Sequence, residues 1–246
     1  MLELKNISFG ALTDDGKKEI IKDISIKFDG GFIAITGPNG GGKSTLAKII
    51  AGIEKPTCGK IYLDGEDITG LSVTERARRG ISFAFQQPVR FKGITVNDLI
   101  RLAAGRDITV SEACDYLSQV GLCARDYINR EVNASLSGGE LKRIEIATVL
   151  ARGTAVSIFD EPEAGIDLWS FSNLINVFER MRERLGGTII IISHQERILN
   201  IADKVAVLAA GELTAYGEKE AVLPGLLDDS FGACKVLKDS MKEASV

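Results

Sequence analysis

A glycine-rich loop between an apolar run and a helix-like stretch limits the possible folds of this chain more than any other feature. The loop is Gly37-Pro-Asn-Gly-Gly-Gly-Lys-Ser44, with the spacing G-x-x-x-x-G-K-S. Residues 32–36 before it have the character of a buried strand, and residues 45–51 after it have helical character. A strand, a tight loop and a helix in this order are the context that a phosphate-binding loop requires. The sequence therefore predicts an α/β fold built around this unit.

The loop residues predict a site for ATP and Mg²⁺. Glycines let the backbone point its N–H groups at a polyphosphate, and the N-terminus of the next helix adds partial positive charge. Lys43 is expected to neutralise the β- and γ-phosphates as part of the catalytic machinery, and Ser44 to place its hydroxyl on Mg²⁺. A plain glycine-rich turn with a surface lysine is the weaker alternative, because the flanking elements also fit. The predicted nucleotide-binding residues here are Gly37, Pro38, Asn39, Gly40, Gly41, Gly42, Lys43, Ser44 and Thr45.

Length and composition predict a single domain over residues 1–246. Apolar side chains make up 45% of the 246 residues, which is enough for a well-buried core. The balance of 30 basic and 34 acidic residues argues against nucleic acid as a partner, since that usually needs a basic surface. No apolar run approaches the roughly 18 residues of a membrane span, and the N-terminus lacks a signal-peptide pattern. We therefore expect a cytoplasmic protein that does not insert into a membrane.

The order of the segments predicts a mostly parallel sheet with flanking helices and an antiparallel β layer near the N-terminus. Strand signals come first, and strands then alternate with helices in the second half of the chain. The predicted strands are 2–9, 20–28, 32–36, 59–65, 81–85, 155–159, 188–192 and 204–208. The predicted helices are 45–51, 74–79, 138–151, 168–185 and 195–200.

Two further segments are predicted to be helical. Apolar spacing from about residue 95 to 129 is that of helices, and predicts a helical subdomain of approximately residues 86–150. Apolar residues also recur at helical intervals near the end, which predicts a C-terminal helical tail at 228–246. Three arginines of the short helix at 74–79, Arg76, Arg78 and Arg79, are expected on a solvated face, and contact with a partner is the weaker alternative.

Two adjacent carboxylates, Asp160 and Glu161, follow an apolar run. This pattern predicts a strand whose carboxyl end lies at the catalytic site. Charges at a buried strand end need stabilisation, and Mg²⁺ can provide it. In a phosphate-loop enzyme the first carboxylate, Asp160, reaches the metal through water. The second, Glu161, is placed to deprotonate the attacking water as a general base. The alternative, two solvated acids at a strand end, is the weaker one given the phosphate loop upstream.

A lone histidine, His194, follows the strand at 188–192. Such a residue is often only a polar cap. Here the strand is expected to lie parallel to and near the one that ends in Asp160, so His194 should emerge at the edge where ligands bind in such sheets. We predict that His194 is catalytic, binding the γ-phosphate and positioning the water.

A second glycine-containing motif, Leu136-Ser-Gly-Gly-Glu140, begins a predicted helix. Ser137 and Glu140 have the spacing of a capping box, which is a sufficient local reason for both. The glycines lower helix propensity and remove side chains, as needed where a phosphate approaches the backbone. A helix N-terminus aimed at a γ-phosphate stabilises its developing charge. Ser137, Gly138 and Gly139 are therefore predicted to bind nucleotide.

In order and spacing these motifs resemble those of the ABC ATPases over nearly the whole chain. The resemblance implies a P-loop NTPase fold of the ABC ATPase type, and ATP hydrolysis. The corresponding motifs are Gly37 to Ser44 as Walker A, Gln86 as the Q-loop, Leu136 to Glu140 as the signature, Ile158 to Pro162 as Walker B, Asp167 as the D-loop and His194 as the H-loop.

The family resemblance further implies a dimer of two copies packed head to tail. The signature motif of one copy would close over ATP held by the phosphate loop of the other, with Asp167 at the nucleotide as well. Gln86 would bind Mg²⁺ and report the nucleotide state to a partner beside the helical insert. The aromatic ring that often stacks on adenine in this family is missing, since Gly10-Ala11 follows Ser8-Phe9.

Within the family, several segments resemble the SufC branch, the soluble ATPases of iron–sulfur cluster assembly. This resemblance implies a soluble SufB- or SufD-like scaffold as partner, with the cluster ligands on that partner. A subunit that drives a membrane permease, with a coupling helix in the groove near 86–94, is the alternative. Translation and DNA-repair members fit less well, because the chain has one cassette and no long coiled coil. The segments are Phe83 to Val89, Val132-Asn133, Gly138 to Arg143, Gly165 and His194 to Leu199.

Overall fold

A computed structural model describes residues 1–13, 16–133, 135–166, 168–184 and 186–226, and the predicted tail at 228–246 lies outside these ranges. Its strands form two sheets. The strands are β1 Leu2–Thr13, β2 Gly16–Phe28, β3 Gly31–Thr36, β4 Cys58–Leu63, β5 Glu66–Asp67, β6 Ile81–Ala84, β7 Val156–Asp160, β8 Thr188–Ile192, β9 Lys204–Ala209 and β10 Glu212–Glu218. The helices are α1 Lys43–Ala51, α2 Val73–Arg78, α3 Val96–Ala104, α4 Val110–Gln119, α5 Ala124–Tyr127, α6 Gly138–Arg152, α7 Leu168–Arg184 and α8 Glu196–Ile201.

The larger sheet has the strand order β10-β9-β3-β8-β7-β6. Its pairs from β9 to β6 are all parallel, and only β10 is antiparallel. The smaller sheet is antiparallel, in the order β2-β1-β4-β5. Both the mostly parallel sheet and the N-terminal antiparallel layer that the sequence predicts are therefore confirmed. Strands β5 and β10 were not predicted, because one is very short and the other lacks a buried run.

Two apolar cores lie on opposite faces of the parallel sheet. Strand β8 shows this directly: Ile189 and Ile191 pack on the side of the helices α3, α4, α6 and α7, whereas Ile190 and Ile192 pack on the side of α1 and the antiparallel sheet. All five β8 residues are buried. Burial on both faces explains why the sequence of this strand is a continuous apolar run.

The helical insert consists of three helices, α3, α4 and α5, where the sequence predicts helical spacing from 95 to 129. Gly105 ends α3 and Gly121 follows α4, and both have positive φ angles, of 62° and 72°, that favour glycine. Helices α3 and α4 pack against α6, and their apolar side chains join the core of the parallel sheet. The boundaries of a separate subdomain at 86–150 stay a prediction. None of the described helices is long and apolar enough to cross a membrane.

Arg76 is fully buried, so the expectation of a solvated face is wrong for this residue. Its guanidinium donates hydrogen bonds to the carbonyl oxygens of Ile49 at 2.7 Å and Ile50 at 2.9 Å, near the end of α1. It also donates to the carbonyl oxygens of Thr69 at 2.8 Å and Leu71 at 3.2 Å. The last carbonyls of a helix lack partners within it, and a cation there also complements the helix dipole. Arg76 therefore joins α2 to the end of the phosphate-loop helix.

Replacing Arg76 by methionine should lower the free energy of unfolding by roughly 2–4 kcal/mol, because the carbonyl oxygens around it each lose a hydrogen bond from a buried cation. Urea denaturation measures the change. Arg78→Met, on the exposed side of the same helix, is the matched control and should change stability by less than about 0.5 kcal/mol. Equal effects of the two substitutions would contradict this role of Arg76.

Candidate nucleotide-binding site

The candidate site lies at the edge of the sheet where the parallel strands end. Strand β3 leads into the phosphate loop, β7 ends in Asp160 and Glu161, and β8 leads into Ser193 and His194. Strand β6 leads into Gln86. Because β6, β7, β8 and β3 are neighbours and parallel, their carboxyl ends meet at one edge. A cavity of about 860 Å³ at this edge is lined by Asn39 to Thr45, Gln86 and Glu161, and by Lys18, Glu19, Ile20, Lys22 and Ala210.

Close backbone approaches explain the glycines of the phosphate loop. A Cβ atom on Gly37 would lie 2.0 Å from the carbonyl oxygen of Leu208, and one on Gly42 would lie 2.6 Å from Ile21 Cδ1. Both glycines also have positive φ angles, of 129° and 96°. Gly42 precedes α1 and supplies no side-chain cap, so the first N–H groups of the helix stay free for an anion.

Lys43 is almost fully buried at the start of α1. Its Nζ donates hydrogen bonds to the carbonyl oxygens of Gly37 at 2.8 Å and Pro38 at 3.0 Å. Burial lowers the pKa of Lys43, while the nearby carboxylates of Glu161 and Asp160 act in the opposite direction. The loop thus wraps around its own lysine and holds the ammonium group against the candidate phosphate site.

Ser44 and Asp160 come together from elements far apart in sequence. The Ser44 hydroxyl donates a hydrogen bond of 2.9 Å to Asp160 Oδ1. Asp160 is buried at the end of β7, and this burial raises the pKa of its carboxyl while the bond from Ser44 opposes the shift. The pair offers two hard oxygen atoms beside the phosphate loop, which is the type of ligand that Mg²⁺ prefers.

Glu161 lies between two other candidate residues. Its carboxylate accepts a hydrogen bond from the Gln86 amide and lies 3.8 Å from His194 Nε2. Burial lowers the pKa of His194, the charge of Lys43 lowers it further, and Glu161 opposes both effects. The backbone of Glu161 has a φ of 45°, which is uncommon for a residue other than glycine. The structure therefore brings Gln86, Glu161 and His194 into one group.

The signature residues do not join this group within a single chain. Ser137 is the N-cap of α6, and the full capping box with Glu140 is present. A Cβ atom on Gly138 would meet no atom within 4 Å, so the start of α6 is open. None of Ser137, Gly138 and Gly139 is among the described residues that line the cavity. Asp167 lies outside the residues that the structure describes.

No aromatic side chain is among the described residues that line the cavity. Residues 18–20 and Lys22 of β2 contribute to this lining, together with Gln86 and Glu161. Ala11, where the sequence lacks the ring, pairs with Lys18 across the hairpin. The described lining of the cavity therefore lacks an aromatic ring, as the sequence predicts.

Several side chains near the site were missed by the sequence analysis. Glu163 accepts a hydrogen bond from the buried hydroxyl of Ser193. Lys142 and Glu145 of α6 hold the backbone of Phe85. Lys142 Nζ donates a hydrogen bond to the Phe85 carbonyl oxygen, and the Phe85 N–H donates one of 2.9 Å to Glu145 Oε1. The i,i+3 spacing of opposite charges in α6 was the available signal for Lys142 and Glu145.

Comparisons with known proteins agree with this geometry. The family model described as ABC transporter matches residues 21–164. An uncharacterized ABC transporter ATP-binding protein of Methanocaldococcus jannaschii, MJ0035, is 38% identical over 216 residues, which cover 84% of this chain and 86% of that protein. The energy-coupling factor transporter ATP-binding protein EcfA1 of Mycoplasma mobile is 36% identical over 230 residues, covering 91% and 82%.

Solved structures show the same fold. The ATP-binding cassette MJ0796, in a dimeric post-hydrolysis state bound to ADP and Pi, superimposes with a TM-score of 0.80 at 25% identity, over 89% of this chain and 99% of that one. The ATP-binding and P-loop assignments are therefore confirmed, together with the fold class. The chain belongs to the ABC transporter family and is an ATP-hydrolysing ABC ATPase.

Proposed function

We propose that two copies of the chain close on ATP, hydrolyse it at sites shared between them, and thereby move a partner subunit of a transporter-type assembly. The observation that carries this proposal is the position of the signature motif. The start of α6 is open, and Ser137, Gly138 and Gly139 are not among the described residues that line the cavity of their own chain, which supports their supply by a second copy. ABC cassettes dimerise, and the MJ0796 structure is described as dimeric. Asp167 is proposed to contact nucleotide at the same interface.

The proposed catalytic roles follow from the group around Glu161. The phosphate loop and Lys43 bind and neutralise the phosphates, and Thr45 continues this contact from the first turn of α1. Glu161 accepts the proton of the attacking water as general base. His194, held neutral at physiological pH by its lowered pKa, orients that water and binds the γ-phosphate. The 3.8 Å between His194 Nε2 and Glu161 Oε1 keeps both within reach of one water molecule.

Mg²⁺ is the proposed metal, and the oxygen atoms of Ser44, Asp160 and Gln86 fit it. Bound there, it would neutralise the charge of the phosphates. Asp160 supports this assignment, because a buried carboxylate whose charge is offset in part by a hydrogen bond from Ser44 gains from a cation nearby. In this proposal Ser44 would hold the metal directly and Asp160 would hold it through water.

Replacing Glu161 by glutamine should reduce kcat for ATP hydrolysis by at least about 100-fold, because the general base is lost while the shape is kept. ATP binding should persist, and the variant should accumulate as an ATP-bound dimer in size-exclusion chromatography. Lys43→Ala is the control that should weaken ATP binding itself. Wild-type turnover by Glu161→Gln would remove this residue as the base.

Replacing Ser137 by arginine should abolish ATP-dependent dimerisation and reduce hydrolysis, because a long charged side chain blocks the open start of α6. Binding of ATP to a single chain should stay within about threefold of wild type, since Ser137 lies outside its own cavity. Dimer formation is measured by light scattering with Glu161→Gln as background. Ser118→Arg, at an exposed position of α4, is the control. If Ser137→Arg dimerised normally, the shared site would be wrong.

An exposed apolar groove beside Gln86 is the proposed contact with the partner subunit. Ile53, Val73, Phe85, Val89 and Phe91 are large apolar residues that are more than a third exposed, and all line or flank two adjoining cavities at this face. Exposed apolar patches of this kind mark protein–protein contacts. We call this surface the partner groove.

The partner groove is linked to both halves of the proposed ATP site. Phe85 forms part of the groove, and its backbone is held by Lys142 and Glu145 of the signature helix. The next residue, Gln86, bonds to Glu161. These contacts support coupling, because a partner that shifts Phe85 acts on the signature helix and on the proposed general base together.

A membrane permease is the partner class that the comparisons favour, since relatives such as EcfA1 are described as transporter ATP-binding proteins. The chain would then work at the cytoplasmic side of the permease. A SufB- or SufD-like scaffold of iron–sulfur cluster assembly is the second candidate. It is supported by the SufC-like segments of the sequence, including Gly165.

Replacing Phe91 by aspartate should prevent co-purification of the partner, because a charge enters the apolar groove. ATP hydrolysis by the isolated chain should stay within about twofold of wild type. Val110→Asp is the matched control, since Val110 is 56% exposed, compared with 37% for Phe91, but does not line the groove.

The co-purifying protein distinguishes the two candidates. An integral membrane protein supports the permease. A soluble partner that carries iron and sulfide after anaerobic reconstitution supports the scaffold and contradicts the permease. Retention of the partner by Phe91→Asp would contradict the groove as the contact.

A further inference from the structure

Glu163 is a carboxylate next to the proposed catalytic group that has no role in the chemistry described above. It follows Glu161 by two residues, in the loop after β7. Its Oε1 accepts a hydrogen bond from the Ser193 hydroxyl, and its Oε2 is buried without a hydrogen-bond partner in the described part of the chain. Burial raises the pKa of Glu163, and the Ser193 bond opposes the shift. Burying a carboxylate with an unpaired oxygen atom costs free energy, so a buried glutamate here indicates a specific role.

Ser193 connects Glu163 to the turn that carries His194. Ser193 is fully buried at the end of β8. While its hydroxyl donates to Glu163, its Oγ accepts a hydrogen bond of 3.0 Å from the Gln195 N–H. This bond spans His194, so the conformation of the turn depends on the direction of the Ser193 hydroxyl.

The loop after β7 is held against the same turn by its backbone. The Glu161 N–H donates a hydrogen bond of 3.0 Å to the carbonyl oxygen of Ile192, and the Ala164 N–H donates one of 3.0 Å to the Glu161 carbonyl oxygen. Glu161 also has a φ of 45°, a conformation that persists only where the surroundings fix it. The Glu163–Ser193 bond adds a side-chain connection to this backbone connection between the two loops.

We propose that Glu163 is a positioning residue, which holds the Ser193 hydroxyl and thereby keeps His194 in place against Glu161. This inference rests on the catalytic roles proposed above for Glu161 and His194. The bond is charge-assisted when Glu163 is ionised, and such bonds are shorter and stronger than neutral ones. A small displacement of either catalytic group is costly, because proton transfer and water positioning need accurate geometry.

The test is steady-state ATP hydrolysis by Glu163→Ala, Glu163→Gln and Ser193→Ala, with the melting temperature measured for each. Both alanine variants should lower kcat by about 10- to 100-fold while the KM for MgATP changes less than about threefold. Glu163→Gln keeps an acceptor oxygen and should recover kcat to within about fivefold of wild type. Glu196→Ala, at an exposed carboxylate two residues after His194, is the matched control and should leave kcat unchanged.

The double variant Glu163→Ala/Ser193→Ala separates positioning from general loss of stability. If the two residues act through one bond, its kcat should be no lower than that of the worse single variant. Multiplicative losses, or equal losses in Glu163→Gln and Glu163→Ala, would overturn the proposal. If Glu163→Ala does not fold, Ser193→Ala carries the test, because it removes only the hydroxyl.

A Glu161→Gln variant in the same series keeps the two proposals apart. If it hydrolyses ATP at the wild-type rate, the catalytic roles themselves fail. If it is inactive while Glu163→Ala and Ser193→Ala keep wild-type kcat, only the positioning role of Glu163 is excluded.

Discussion

The parallel register of β3, β8, β7 and β6 is the constraint on which the rest of the structure depends. Side by side and in one direction, these strands bring four separate segments of the chain to one edge of the sheet. Pairing of Asp160 with Ile192 places the end of β7 level with the end of β8, one residue before Ser193. A slip of one residue would turn the buried side chains of β8 to the opposite core and move His194 away from Glu161.

Buried charges at this edge stabilise one another only in part. Burial lowers the pKa of Lys43 and raises the pKa of Asp160, so both groups are destabilised in their charged forms. Their mutual attraction and the hydrogen bonds from Ser44 and to the loop carbonyls offset some of this cost. A bound polyphosphate would stabilise the charge of Lys43, and a bound cation would stabilise the charge of Asp160.

The sequence predicts those parts of the structure that depend on local patterns. Apolar runs, glycine spacing and capping boxes locate most strands and helices to within a few residues, as for β8 and α6. Contacts between distant segments could not be predicted in this way. Arg76 has the pattern of a surface helix residue, yet its guanidinium reaches the end of α1. Glu163 likewise looks like a polar loop residue, and only the neighbouring strand end shows that its partner is Ser193.

Gln86 connects the partner groove to the proposed catalytic group. It follows Phe85, whose ring lies in the partner groove and whose backbone is held by the signature helix α6. Its own amide contacts Glu161, which lies 3.8 Å from His194. Packed groups of this kind shift between discrete arrangements rather than deform gradually. In the proposed function, a partner in the groove therefore acts on dimer closure and on the general base through the same two residues, Phe85 and Gln86.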